Sequence, residues 1–221
     1  MGRKKVLELF SGSRSIGKIA DLMGHEVFSV DITDFPNTDL VKDILDVVPG
    51  DIPWVPDMIW ASPPCTFFSV ASIGYHWNKD NTPKTENAVL GVKIVDHTIE
   101  LIRFFERANP NMIWYMENPR GKLRKLPVVS SLHRTTVWYC KYGDKRAKPT
   151  DIWSNNIFDP TLFGNGKWVP RKECKNGNKD CHHESAPRGS QTGTQGVKGN
   201  YLRSQVPEEL CTEILLTLNR Q

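Results

Sequence analysis

Hydrophobic and polar positions change their period several times along the chain, and each change marks an element. Positions 4–10 alternate into a short buried strand, after which Ser11-Gly12-Ser13-Arg14-Ser15-Ile16-Gly17 turns into a helix running to about Met23, capped by Gly24. Positions 26–30 read as a second strand that ends in Asp31. Positions 57–60 read as another, reached through a proline-punctuated connection at 49–56. The clearest helix is 86–109: Val89, Val92, Ile94, Val95, Ile99, Leu101, Ile102 and Phe105 form an apolar stripe, and Asn109-Pro110 stops it. A buried strand at 112–116 follows, then a short helix within 123–132 and a strand at 133–139. The last helix, 208–218, starts after Pro207 and turns Leu210, Ile214, Leu215 and Leu218 inward.

Two stretches have no period. Positions 70–85 are polar and rich in Gly, Asn, Lys and Asp, the composition of a long functional loop; Tyr75, His76, Trp77 and Lys79 are its candidates for stacking on bases or meeting phosphates. Positions 153–198 are loop-like, with Gly, Asn, Pro and Lys throughout. The 221 residues suit one sizeable α/β domain, and a net charge of +4 is compatible with a polyanionic partner without establishing one. No apolar run approaches the roughly 18 residues that span a bilayer. The start, Met-Gly-Arg-Lys-Lys, leads straight into a strand pattern, so the expected location is the cytoplasm with no membrane partner.

Candidate chemistry centres on Ala61-Ser62-Pro63-Pro64-Cys65-Thr66-Phe67-Phe68-Ser69, which leaves the end of the 57–60 strand. Its prolines fix φ and exclude helix, holding Cys65 in a stiff extended turn. A thiolate so held is a strong nucleophile toward an electron-poor carbon; an inert buried cysteine in a proline-rich loop is the bland alternative. Glu117 ends the 112–116 strand, so both residues reach the carboxyl edge of the sheet, where ligands bind in open α/β folds. The glycine turn at 11–17 offers backbone N–H groups and a helix N-terminus, and Asp31 at the tip of the second strand stands where such sheets bind ribose. Five cysteines, an odd number, favour thiols or metal ligands over disulfides. Cys140, Cys174, Cys181 and His182 have the donor types of a tetrahedral structural zinc site, though the spacing is not the usual C-x2-C and exposed loop thiols would read the same.

Taken in order, Val6-Leu7-Glu8-Leu9-Phe10-Ser11-Gly12, the Pro63-Pro64-Cys65 loop, Glu117-Asn118, Tyr142-Gly143 with its following basic residues, and Gly199-Asn200 before Val206-Pro207 resemble the signature blocks of the DNA cytosine-5 methyltransferases. The resemblance runs from about Val6 to Leu218. It implies a Rossmann-like, S-adenosylmethionine-dependent methyltransferase fold, α/β with a mostly parallel sheet, helices on both faces and a small irregular C-terminal region. It implies double-stranded DNA as partner, Cys65 as nucleophile, Glu117 as the acid at the base edge, and Arg146 with Lys148 as cations at the base oxygen. It further implies a cofactor pocket of Phe10, Ser11, Gly12, Asp31, Ile32, Asp43, Pro64 and Asn200.

The chain departs from the family at three places. Pro119 replaces the valine usual after Glu-Asn, the basic block lacks its glutamine, and Lys148 stands in place of the last arginine. Size is the largest departure: a catalytic core at 1–153 and a C-terminal helix region at 200–221 leave only 154–199 for target recognition. Such brevity resembles compact enzymes carried by bacteriophages, and it leaves room for a partner subunit to supply recognition. Competing readings are an amino-methyltransferase, which needs an aromatic where Cys65 stands, a tRNA cytosine methyltransferase with the same blocks, and a silent nucleic-acid-binding homologue.

Overall fold

The computed structural model describes residues 2–157, 167–175, 178–184, 197 and 199–220, without the side chains of Asn200 and Arg220. Its centre is a seven-stranded sheet built from β1 (Lys5–Leu9), β2 (Glu26–Asp31), β3 (Leu40–Val41), β4 (Met58–Ala61), β5 (Ile113–Pro119), β6 (Arg134–Trp138) and β7 (Pro149–Ser154). The spatial order is β3-β2-β1-β4-β5-β7-β6. The pairs β1–β2, β2–β3, β1–β4 and β4–β5 are parallel, while β7 lies antiparallel to both β5 and β6.

Sequence and structure agree on most elements. The glycine turn leads into α1 (Ser15–Leu22), and the long periodic stretch is α3 (Glu86–Ala108), whose first turn is capped by Thr85 accepting from the Ala88 N–H. The 123–132 stretch forms two 3-10 turns, Leu123–Lys125 and Pro127–Val129, where a helix was expected; Pro127 deprives the second of a backbone donor. Strand β7 is not read from the sequence, which assigns no element to 149–152 and a loop from 153 on, since Pro149 and Asp151 are poor strand formers; it forms because two neighbours supply its ladder and Arg124 and Arg134 pair with the buried Asp151.

Period-2 alternation along the central strands loads both faces of the sheet. Leu7, Leu9, Ile59, Trp114 and Met116 pack on one side with Val95, Ile99 and Ile102 of α3. Val6, Met58, Trp60, Ile113 and Tyr115 pack on the other with Ile16 and Ala20 of α1 and with Leu210, Ile214 and Leu215 of α5 (Glu208–Leu216). Trp168 belongs to this second core, so described parts of 154–199 are packed into the body of the molecule. No helix among the described residues is long and apolar enough to cross a membrane.

Candidate active site

Parallel pairing of β4 with β5 sets the geometry. Ala61 pairs with Met116, so Glu117 follows one residue past that rung while Cys65 follows four residues past it, both at the carboxyl edge. The Cys65 loop is fixed from both sides: Trp60 Nε1 donates to Ser62 Oγ at 2.8 Å, the Ser62 N–H to the Leu9 carbonyl at 3.3 Å, and the buried Asn118 Nδ2 to the Pro63 carbonyl at 2.8 Å. Beyond the cysteine, the Phe68 N–H donates to the Cys65 carbonyl at 3.0 Å, and the Lys122 N–H to the Phe68 carbonyl at 2.7 Å. Gly121 is required there, since a Cβ on it would stand 2.3 Å from the Phe68 carbonyl oxygen.

Three ionisable groups meet at this edge. Glu117 is buried and accepts from the Tyr139 hydroxyl at 2.9 Å, and Lys148 Nζ lies 3.9 Å from its Oε1. The Lys148 ammonium also donates to the Arg203 carbonyl at 3.1 Å and sits 4.6 Å from the centre of the Tyr139 ring. Burial pushes the Cys65 thiol above its ordinary value, the Lys148 ammonium pulls it back, and Glu117 adds to the rise. Burial lowers Lys148, while Glu117 and Cys65 oppose that. Tyr139 is held well above the ordinary phenol range by burial and by Glu117, and so remains a donor.

Arg146 is occupied differently from the role implied for it. Its Nε donates to both Asp144 oxygens at 3.0 and 2.9 Å, Nη1 reaches the carbonyls of Leu202 and Arg203, and Nη2 reaches Asp144 and the Gln205 carbonyl. The guanidinium thus satisfies the end of α4 (Asn200–Ser204), and Lys148 is a cation within 3.9 Å of Glu117 that also acts on Cys65.

The glycine turn bends through positive φ at Phe10 (60°), Gly12 (47°) and Arg14 (52°). Asp31 receives the Gly12 N–H on Oδ2 and the Thr33 N–H on Oδ1, both at 2.9 Å, tying this turn to the end of β2. Sequence reasoning missed Glu8, which is buried in β1 and accepts from the Ile16 and Gly17 N–H groups at 3.1 Å each. It thereby takes two donors of the α1 N-terminus that had been assigned to a ligand; an acid inside an apolar strand was the available signal. Burial raises its pKa to about 7. Ser11 Oγ is buried with no partner among the described residues. Ile32 and Pro64 are exposed beside the turn's strand ends, and Asp43 caps a 3-10 turn by accepting from the Leu45 N–H. Helix α4 lies over this region: the Phe35 and Tyr201 rings are 6.0 Å apart, and the Val206 N–H donates to Ser15 Oγ. The side chain of Asn200 lies outside the described residues.

The 70–85 stretch is partly built in. It contains the short helix α2 (Ile73–His76); Trp77 is buried, stacks on Phe68 and donates Nε1 to the Phe67 carbonyl at 2.7 Å, while His76 is buried against Thr85. These two residues anchor the loop, and Tyr75 is left exposed at its surface. The sulfur and histidine groups converge elsewhere: Cys140, Cys174, Cys181 and His183 bring their donor atoms within 4.8 Å of one another. His182, the histidine expected in that set, points its Nε2 to the Asp144 carbonyl at 3.1 Å instead.

No protein-family model matches the chain. Over 226 aligned residues it is 26% identical to a probable DNA (cytosine-5)-methyltransferase of Frog virus 3 (isolate Goorha), covering 96% of this chain and 98% of the relative. Among solved structures it is similar to the EhMeth methyltransferase of Entamoeba histolytica, with a TM-score of 0.55, 12% identity, and coverage of 99% of this chain and 98% of that one. The sheet is therefore that of a Rossmann-like methyltransferase, with an antiparallel pair at one edge. The chain resembles the DNA (cytosine-5)-methyltransferases along its length, and its compactness is shared by the viral relative.

Proposed function

We propose that this chain is an enzyme, a DNA (cytosine-5-)-methyltransferase that methylates a flipped-out cytosine through a covalent Cys65 adduct. The observation that carries this reading is the convergence of Cys65 and Glu117, from the carboxyl ends of the parallel β4 and β5, with Lys148 at the amino end of the antiparallel β7, Asn118 and Tyr139 fixing the loop and the acid. Cytosine is not nucleophilic at carbon 5. Addition of the Cys65 thiolate at carbon 6 makes carbon 5 enamine-like, and Glu117 at the N3 and N4 edge stabilises the charge that develops. The Lys148 ammonium serves both ends, favouring the thiolate in the free enzyme and neutralising the base oxygen in the adduct. After carbon 5 has taken the methyl group, a base removes its proton and the thiolate departs as the C5–C6 double bond re-forms. The reacting carbons are stacked in a duplex, so the base must be extruded at a cost of a few kcal/mol.

The residues around the glycine turn fit S-adenosylmethionine, which supplies the electrophilic methyl group when bound. The Ser11 hydroxyl, without a partner among the described residues, offers a hydrogen bond, Ile32 and Pro64 offer apolar edges, and Asp31 sits at the ribose position of such sheets. Phe10, Gly12, Asp43 and Asn200 complete the proposed pocket, and Arg146 acts by holding α4 over it.

The test is incubation with labelled S-adenosylmethionine and duplex DNA containing 5-fluorocytosine, comparing the native chain with Cys65→Ser on a denaturing gel. Fluorine at carbon 5 blocks the final elimination, so an adduct that needs Cys65 is expected. An adduct on tRNA but not on DNA moves the substrate to RNA, and none on either sinks the reading.

A further inference from the structure

We propose that Cys140, Cys174, Cys181 and His183 bind a structural zinc ion that clamps Cys174 and residues 178–184 onto the wall of the active site. Three thiols and an imidazole are the donor set of a closed Cys3His site. A tetrahedron with zinc–sulfur bonds near 2.3 Å has edges of about 3.8 Å, so donors already within 4.8 Å need only a small contraction. Cys140 and Cys174 are buried and Cys181 and His183 half-buried, which shields the ion while leaving an entry path. On binding, the thiols release their protons to solvent and the thiolates become ligands.

Packing gives a reason for a metal at this place. The local core among the described residues is Trp138, Cys140 and Ala147 with Cys174 and Cys181, a cluster in which three of the five members are thiols. So little apolar mass would hold Cys174 and residues 178–184 weakly, and a metal bond supplies what burial does not. The clamp acts directly on catalytic parts. Cys140 follows Tyr139, which donates to Glu117, and the same loop runs on to Arg146 and Lys148. The zinc segment lies along that loop: the Glu184 N–H donates to the Lys145 carbonyl at 2.9 Å, and His182 reaches the Asp144 carbonyl. His182 is thus a strut beside the site, and His183 is the ligand.

Metal content is read without reference to methyl transfer, so this proposal and the enzymatic one fail separately. Protein purified without chelators or a metal-affinity tag should carry about one zinc per chain by plasma mass spectrometry. Cobalt(II) taken up in its place should show thiolate charge-transfer absorption and the intense visible bands of a tetrahedral site. His183→Ala should weaken metal affinity by about tenfold or more, His183→Cys should restore it, and His182→Ala should leave it unchanged. If His183→Ala does not fold, rescue by His183→Cys beside full loading of His182→Ala still decides the ligand. Reduced protein that takes up no zinc against a chromogenic chelator overturns the proposal. So does an intact mass showing a disulfide among these cysteines, or loss of zinc on His182→Ala with retention on His183→Ala.

Discussion

Arg146 and Lys148 stand two positions apart and face different demands. Arg146 is buried with all its donors committed to Asp144 and to the carbonyls at the end of α4, whereas Lys148 lies between Glu117 and the nucleophile loop. Lys148→Gln should therefore lower turnover by about 10²-fold, as expected when one preorganised charge is removed. Arg146→Gln should cost about 3 kcal/mol of stability, because the buried guanidinium's contacts to the half-buried Asp144 and to the carbonyls of Leu202, Arg203 and Gln205 are lost together; paired thermal melts and steady-state kinetics separate the two. Glu8 makes a prediction about pH. Its folded pKa of about 7 exceeds the ordinary 4.5, so the folded state binds the extra proton, and stability falls as pH rises from about 4.5 to about 7. The full difference is about 3 kcal/mol. Denaturant titrations across that range should show the decline in the native chain and its loss in Glu8→Gln; a curve flat in both would refute the raised pKa.

At the scale of elements, the loop after β5 sets the position of the loop after β4. Gly121→Ala would drive a Cβ into the Phe68 carbonyl three residues beyond Cys65, and backbone there cannot yield without moving Cys65. The expected result is a fall in kcat of about 10²-fold, comparable to other small misplacements of a reacting group; unchanged kcat would show that the contact relaxes elsewhere. Helix α3, the central strands and the nucleophile loop were legible because each is specified by local chemistry: a 3.6-residue stripe, short apolar runs and two prolines. Strand β7 was not, since its propensity is poor and its ladder comes from neighbours distant in sequence. The 70–85 loop misled for a similar reason. Its polar composition is real, but Phe68 and the Phe67 carbonyl create a socket for Trp77 that only the folded chain contains.

For the molecule as a whole, closure depends on the chain's end returning to its middle. Helix α5 fills the sheet face shared with α1, and Tyr115 meets Thr217 Oγ1 at 3.2 Å across 102 positions of sequence. Ile214, fully buried there, should cost about 3 kcal/mol when replaced by Ala, read as a shift of the denaturation midpoint at constant slope. The Cys140, Cys174, Cys181 and His183 cluster joins segments distant in sequence in the same way. What the sequence by itself determined is the central strands, the first, long and last helices, the glycine turn and the Cys65 loop, because period, prolines and short motifs act within a few residues; the strand expected to end before Glu117 runs on to Pro119, because β7 continues its ladder. Only the tertiary structure decided that Lys148 comes within 3.9 Å of Glu117 while the Arg146 donors go to Asp144 and the end of α4, that His183 and not His182 joins the cysteines, and that Glu8 occupies donors at the head of α1. Adjacent residues on one loop differ by which neighbours they meet, and those neighbours arrive from strands and turns whose distance in sequence carries no local signal.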